Sequence, residues 1–248
     1  MKAERKYFHA GKLKSTYFSL AVKNALIFCH EPYLDHHGPD LDNFYRLFNK
    51  AITSINDLPL SLSNLNLSKN AFPKQLHCIL DSVFTKDTLF HLNEYYDFLS
   101  RNGFLRKSDQ HVTQRIWAHN DHISRKIQSR LEEAVAFIVG NEIKKGFTSF
   151  LEYFEEAQLT KHLDREQATF TLSIQLQYVE NNLEVENQWP ISVVEKSGQT
   201  ATHLIKNGQA ILFKGNELVH YRSTLTKGHR SRVICLHFTT GEFSGNFL

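Results

Sequence analysis

The spacing of apolar residues along the chain changes near residue 145. Before that point, apolar residues recur every three or four positions, as on the buried face of a helix. This pattern predicts helices at residues 17–28, 44–52, 73–100 and 109–139, the last ending at Gly140-Asn141, and Gly is common just beyond a helix C-terminus. The segment Leu58–Asn70 is rich in Ser and Asn, so we expect a loop there.

From residue 146 onward the chain consists of short β-rich runs separated by turn signals. Six or more strands at this spacing predict a small antiparallel sandwich or a jelly roll of the cupin kind. We therefore expect a mixed α and β protein. Residues 146–248 form its double-stranded β-helix core, and residues 1–145 form a mainly helical region that braces the core and shapes the site entrance. The runs are FTSFLEYF (147–154), ATFTLSIQLQY (168–178), WPISVVE (189–195), ATHLI (201–205), QAILFK (209–214) and SRVICLHF (231–238).

Composition narrows the class of protein but does not name a function. Hydrophobic residues make up 41% of the 248 positions and charged residues 22%, as in ordinary soluble domains. The net charge of +3 is mild and its basic residues are dispersed, so we expect neither nucleic acid nor a membrane as partner. No secretory leader or spanning segment is evident, and Cys29, Cys78 and Cys235 fit neither zinc nor disulfide spacing. We therefore expect reduced thiols and a cytoplasmic location.

Two His-x-Asp pairs are candidates for metal binding. His119 and Asp121 fall within a predicted helix, where residues two apart point about 200° away from each other. His162 and Asp164 lie at a predicted strand end, where both side chains can converge on one ion. A third ligand, His220, follows Asp164 by 56 residues, enough for several strands and a return to the same barrel mouth.

Two histidines and one carboxylate on one face of a metal leave three coordination positions open, as in non-haem Fe(II) oxygenases. Arg230 follows His220 by ten residues. A planar guanidinium at that place can clamp the far carboxylate of 2-oxoglutarate with two hydrogen bonds, and it stays charged when buried.

With these residues, the stretch 148–240 resembles the Fe(II)/2-oxoglutarate-dependent oxygenase superfamily, and in its Trp-Pro-Ile and Glu-Leu-x-His-aromatic-Arg patterns an uncharacterised bacterial branch of it. The likeness includes the Gly-x-Ala-x-x-Phe-x-Gly lead-in at residues 208–215. It implies Fe(II) held by His162, Asp164 and His220, with 2-oxoglutarate as co-substrate and O2 as oxidant.

The arginine region departs from the family pattern. Many members have Arg-x-Ser after the distal histidine, whereas here the order is Arg230-Ser231-Arg232. We expect Arg230 to clamp the co-substrate, with Arg232 as the reserve. Tyr153 resembles a tyrosine whose hydroxyl reaches 2-oxoglutarate in many relatives, although a core aromatic is the alternative.

Three further residues are candidates for the substrate pocket. Gln175 and Gln177 are predicted to share one face of a strand, and Arg222 is predicted to share the face of His220. The resemblance implies hydroxylation of a C–H bond with release of succinate and CO2. It does not name the substrate, for which our first expectation is a small molecule such as an amino acid or natural-product precursor. The alternatives are a peptide or protein side-chain hydroxylase, a non-catalytic metal- or 2-oxoglutarate-binding protein, and a cupin-like metalloenzyme without 2-oxoglutarate.

Overall fold

The computed structural model describes residues 41–107 and 112–245. Its helices are α1 (Leu41–Ser54), α2 (Leu62–Gln75), α3 (Lys86–Arg101) and α4 (His122–Val139). Its strands are β1 (His77–Leu80), β2 (Arg106–Lys107), β3 (Arg115–His119), β4 (Ile143–Tyr153), β5 (Leu159–His162), β6 (Phe170–Glu180), β7 (Leu183–Glu184), β8 (Ile191–Val194), β9 (Thr200–His203), β10 (Ala210–Phe213), β11 (His220–Arg222) and β12 (His229–Thr240). A short 3-10 turn, Glu166–Ala168, precedes β6.

The strands form two antiparallel sheets. The larger sheet has the order β1-β10-β6-β12-β4-β3-β2, with β7 paired to β6, and the smaller sheet has the order β5-β11-β8-β9. Strands of both sheets line one cavity, so the sheets face each other across it. All six strands predicted after residue 146 are present, and the predicted mixed α and β class is confirmed.

The outer face of the larger sheet is covered by the helices. A continuous apolar core joins the two layers and includes Phe44, Leu92, Ile127, Ile174 and Leu236. The Tyr96 ring of α3 stacks on the Phe150 ring of β4 with centroids 3.8 Å apart. The apolar stripes of the helices therefore hold the sheet from one side and leave its other face for the cavity.

The best-predicted helices are α1 and α4. In α1, Phe44, Leu47, Phe48 and Ala51 are buried at helical spacing. Helix α4 ends at Gly140, whose φ of +73° closes a left-handed C-cap, as predicted. The helix predicted at residues 17–28 lies outside the described residues. None of the helices in the described part is long and apolar enough to cross a bilayer.

The first 145 residues are less helical than their pattern predicted. Strand β1 occupies part of the predicted helix 73–100, and β3 occupies part of the predicted helix 109–139; both extend the larger sheet. The segment predicted as a loop contains the first nine residues of α2, whose N-cap Ser61 accepts a hydrogen bond from the Asn64 N–H. Tertiary packing overrides local propensity in all three cases. The two strands gain backbone hydrogen bonds to the sheet, and the helix buries apolar side chains against the core.

A buried ion-pair cluster joins the larger sheet to α3. Glu152 of β4 and Arg232 of β12 are cross-strand partners, 0% and 1% exposed in their side chains, and the Arg232 guanidinium lies 2.9 Å from Glu152 Oε1. Arg232 also donates to Asp97 of α3 at 2.5 Å. Arg230 contacts the same Glu152 oxygen at 2.8 Å from a more exposed position. The cluster therefore lies on the helix-covered face of the sheet.

We predict that Arg232→Met lowers the free energy of unfolding by about 3–5 kcal/mol, because the fully buried Glu152 keeps only the partly exposed Arg230 as a partner and Asp97 loses its buried one. Urea unfolding at neutral pH measures this. Arg230→Met is the control and should cost about 1 kcal/mol or less, since Arg230 is partly exposed and Arg232 still neutralises Glu152. The double variant Glu152→Gln, Arg232→Met should recover part of the loss. Equal losses for the two single variants would contradict this account.

Candidate metal centre

The strand pairing between β5 and β11 brings the two candidate histidines together. His162 ends β5, His220 begins β11, and the two residues are direct partners in the antiparallel register. Asp164 follows two residues after His162, and its backbone N–H donates to the Gly215 carbonyl at 2.9 Å. The ligand atoms of the three residues lie within 4.8 Å of one another, and they are the one such group among the described residues.

Hydrogen bonds to the backbone set the orientation of both imidazole rings. The His162 Nδ1 lies 2.8 Å from the Thr160 carbonyl, and the His220 Nδ1 lies 3.0 Å from the Leu218 carbonyl. A carbonyl accepts, so each Nδ1 carries the proton and each Nε2 keeps a lone pair for a metal. The two Nε2 atoms lie 3.9 and 3.7 Å from Asp164 Oδ1. Burial lowers the pKa of His220, which favours its neutral, ligating form.

A relay of two side chains orients the Asp164 carboxylate. The Thr171 hydroxyl donates to Asp164 Oδ2 at 2.6 Å, and it lies 3.0 Å from His237 Nδ1. Because the hydroxyl has one proton, His237 must donate from Nδ1. Burial lowers the pKa of His237 to about 4, so that ring is neutral at physiological pH. The relay leaves Oδ1 facing the histidines.

The glycine-rich lead-in before His220 has a steric role. A Cβ at Gly215 would collide with the Asp164 carboxylate and lie 2.9 Å from its Cγ. The Phe213 ring packs against the His220 ring with centroids 4.6 Å apart. The motif therefore leaves room for the carboxylate and supports one imidazole, which accounts for its place ahead of the third ligand.

The three residues open onto a cavity of about 390 Å³ between the sheets. Arg115, Arg165 and Arg222 contribute guanidinium groups to its lining, whereas Asp164 is the single acidic side chain among the described residues that line it. An excess of positive charge within a partly enclosed space attracts anionic ligands. The cavity therefore suits an anion bound beside a metal.

Of the six other predicted site residues, two line this cavity and four do not. Tyr153 and Arg222 are part of its wall, and both are buried. Arg230 and Arg232 are not in the wall, because both extend to Glu152 on the helix-covered face of the sheet. Neither of the two arginines expected to clamp the co-substrate therefore extends into the cavity.

Gln175 and Gln177 also lie away from the cavity wall. Arg232 pairs with Gln177 and Val233 pairs with Gln175, so Leu176 is an extra residue in β6 that interrupts the alternation of faces. Gln175 is buried and donates to the Ser231 hydroxyl at 3.0 Å, whereas Gln177 donates to Glu184 at 3.0 Å. The two amides have separate structural partners, and the prediction of a shared face was wrong.

The second His-x-Asp pair does not chelate, for a reason other than the one predicted. His119 ends β3 rather than lying in a helix, and its side chain lines the cavity. Asp121 is the N-cap of α4 and accepts hydrogen bonds from the N–H groups of Ile123 and Ser124. Burial raises the pKa of Asp121, while those bonds act to lower it. Its carboxylate therefore serves as the helix cap and does not face His119 as a second metal ligand.

Sequence reasoning missed Arg115, Thr171 and His237. Thr171 and Ser173 alternate with apolar residues in ATFTLSIQ, which indicates a polar inner face. Arg115 had no local signal, because it reaches the cavity from a strand in the region predicted to be helical. His237 lies on β12 and lines the cavity with Val233 and Cys235, a position that becomes evident once the register is known.

No protein-family model matches the sequence, and no curated protein matches it. Solved structures do match its fold. The non-haem α-ketoglutarate-dependent epimerase SnoN from nogalamycin biosynthesis aligns with a TM-score of 0.61 and 9% identity, over 76% of this chain and 91% of its own.

A prolyl-4-hydroxylase from Pseudomonas putida aligns with a TM-score of 0.59 and 11% identity, over 71% of this chain and 100% of its own. HygX from Streptomyces hygroscopicus, solved with nickel, 2-oxoglutarate and hygromycin B, aligns with a TM-score of 0.55 and 12% identity, over 74% of this chain and 89% of its own. At such low sequence identity, the similarity establishes a shared fold but not a shared activity. The chain therefore has the jelly-roll fold found in Fe(II)/2-oxoglutarate-dependent oxygenases, and the predicted resemblance is confirmed at that level.

Proposed function

We propose that this protein is an Fe(II)- and 2-oxoglutarate-dependent dioxygenase that hydroxylates a C–H bond of a small molecule, with release of succinate and CO2. The observation that carries the proposal is the cluster of His162, Asp164 and His220 at the wall of a positively charged cavity. Two neutral imidazoles and one carboxylate are the donor set of non-haem Fe(II) centres that keep three positions open.

The donor atoms present fit iron in type and orientation. The Nδ1 atoms are occupied by backbone carbonyls, which leaves the Nε2 atoms as the metal-binding nitrogens, and Oδ1 of Asp164 faces both rings. When bound, iron with O2 and 2-oxoglutarate supplies an oxidant strong enough for a C–H bond. The chain's own part is to orient these ligands, bind the two organic molecules beside them and limit access of water.

Three features of this chain perform that part. Thr171 turns Oδ2 of Asp164 away from the metal position and so presents Oδ1 alone. The smaller sheet carries both histidines, and His220 is shielded from solvent, since it is 3% exposed. His162 is more open, with 35% of its side chain exposed, and it marks the side from which ligands enter.

A small organic substrate is our first choice over a protein side chain. The cavity is bounded by two sheets and is of a size that suits metabolites. Two proteins of the same fold support this choice, since SnoN has been solved with nogalamycin RO and HygX with hygromycin B. The alternatives, including a peptide substrate or binding without turnover, are outcomes of the experiment below.

We predict that anaerobic Fe(II) and 2-oxoglutarate give wild-type protein a weak visible charge-transfer band, and that His220→Ala abolishes it because one ligand is lost. His91→Ala is the matched control, since His91 lies on α3 and is not among the cavity residues. Admission of O2 with candidate substrates should then release succinate. A band without succinate for any small-molecule or peptide substrate would favour a non-catalytic binding protein, and no band in wild type would refute the proposal.

A second prediction concerns the orientation of Asp164. Thr171→Val removes the hydroxyl that donates to Oδ2 and should weaken Fe(II) or Zn(II) binding by roughly 10- to 100-fold, the usual effect of losing a partner of a metal ligand. Competition with a fluorescent chelator measures this affinity. Ser173→Ala is the control, because Ser173 lines the same cavity and has no contact with the carboxylate. Unchanged affinity in Thr171→Val would show that the relay does not position Asp164.

A further inference from the structure

Arg222 carries a buried positive charge that no carboxylate of the described residues neutralises. The residue is 4% exposed. Its Nη1 donates to the Trp189 carbonyl at 2.5 Å, and its guanidinium lies 4.8 Å from the centre of the Trp189 ring. Neither contact supplies a negative charge. Removing an unpaired cation from water is costly, so the site requires an anion from elsewhere.

Arg232 shows how the same chain neutralises a buried arginine internally. Its guanidinium contacts the carboxylates of Glu152 and Asp97 on the helix-covered face of the sheet. Arg222 differs from it in one respect that matters, because Arg222 lines the cavity. An anion can therefore reach Arg222 as a ligand, whereas Arg232 is already neutralised and closed off.

Arg222 lies two residues after His220 on the same strand and lines the same cavity. His220 and Arg222 are both buried on β11, while Tyr221 between them is more exposed and lies under the Lys161 ammonium. Residues two apart on a strand are about 6.6 Å apart along it and share one face. A ligand that contacts both the metal position and Arg222 therefore needs a metal-binding group and an anionic group within one short molecule. The carboxylate of 2-oxoglutarate, two methylene groups from its keto acid, meets this requirement.

Tyr153 supplies a second donor beside Arg222. Its hydroxyl lines the cavity and accepts a hydrogen bond from Arg115 Nη1 at 3.3 Å. Burial raises the pKa of Tyr153, although Arg115 and Arg222 act to lower it. The hydroxyl therefore keeps its proton at physiological pH and can donate it to an oxygen bound at Arg222.

We propose that Arg222, together with the Tyr153 hydroxyl, binds the far carboxylate of 2-oxoglutarate. Arg230 and Arg232 then serve to neutralise Glu152 and take no part in co-substrate binding. The inference rests on the proposed function, since it assigns one subsite of the same cavity. It moves the clamp from the strand that follows the distal histidine to the strand that carries it.

Trp189 holds the guanidinium in place for this role. Its backbone N–H donates to Asn187 Oδ1 at 2.8 Å, and its indole N–H donates to the Ser223 carbonyl at 2.6 Å. The ring and carbonyl of Trp189 are thus fixed before a ligand arrives. A guanidinium that is already oriented loses less conformational entropy on binding a carboxylate with two hydrogen bonds.

The test is calorimetric titration of the full chain loaded with Mn(II), under argon, with 2-oxoglutarate and with 2-oxobutyrate, which has the same keto acid but no far carboxylate. Arg222→Met should weaken 2-oxoglutarate binding roughly 10- to 100-fold and leave 2-oxobutyrate binding unchanged. The affinity of Arg222→Lys for 2-oxoglutarate should lie between those of the wild type and Arg222→Met. The affinity for Mn(II) and the urea midpoint should not fall in Arg222→Met, because the variant removes a buried charge that has no internal partner. Arg230→Met should bind 2-oxoglutarate like wild type.

The outcomes separate the inference from the proposed function. If Mn(II)-loaded wild type binds 2-oxoglutarate and Arg222→Met binds it equally well, the assignment of Arg222 is overturned while the oxygenase proposal stands. The assignment is also overturned if Arg230→Met, and not Arg222→Met, has the weaker affinity for 2-oxoglutarate. If the wild-type protein binds Mn(II) but no 2-oxoglutarate, the proposed function itself fails, and the inference fails with it.

Discussion

The antiparallel pairing of β5 with β11 is the contact on which the candidate site depends. It places His162 directly opposite His220, and the next turn of the chain brings Asp164 against the Gly215 carbonyl. Three residues that are 58 positions apart at most are thereby held within a few ångströms by backbone hydrogen bonds. The side chains need little adjustment of their own, because carbonyl groups and Thr171 already point the donor atoms inward.

The larger sheet separates two kinds of charged environment. On its helix-covered face, Arg232 and Arg230 are neutralised by Glu152, which makes this face a closed, structural layer. Across the cavity, Arg222 of the smaller sheet has aromatic and carbonyl contacts, and the one acidic residue among the described residues of the cavity wall is Asp164 of the candidate triad. The difference follows from burial. A charge that meets no ligand must be paired within the protein, and a charge that binds a ligand has to remain available.

The register of β6 and β12 explains why some residues predicted from alternation lie elsewhere. Leu176 is an extra residue in β6 opposite the step from Arg232 to Val233, and so Gln175 and Gln177 do not share a face. Arg232 itself faces Glu152 because the two are partners across β12 and β4. A single inserted residue reverses every side chain beyond it, and a reading of period two along one strand has no means to detect it.

The sequence by itself determined the strand-rich second half, the apolar stripes of α1 and α4 and the candidate metal triad, because periodicity and motif spacing are local properties. Only the tertiary structure decided that β1 and β3 extend the larger sheet, that a Ser- and Asn-rich segment begins α2, and that Arg222 faces the cavity whereas Arg230 and Arg232 do not. These outcomes depend on residues far away in the chain. Strands β1 and β3 pair with the edges of a sheet formed by later residues, and α2 packs on its core. The carboxylate of Glu152 binds Arg230 and Arg232 on the helix-covered face of the larger sheet, whereas the buried Arg222 has no such partner among the described residues.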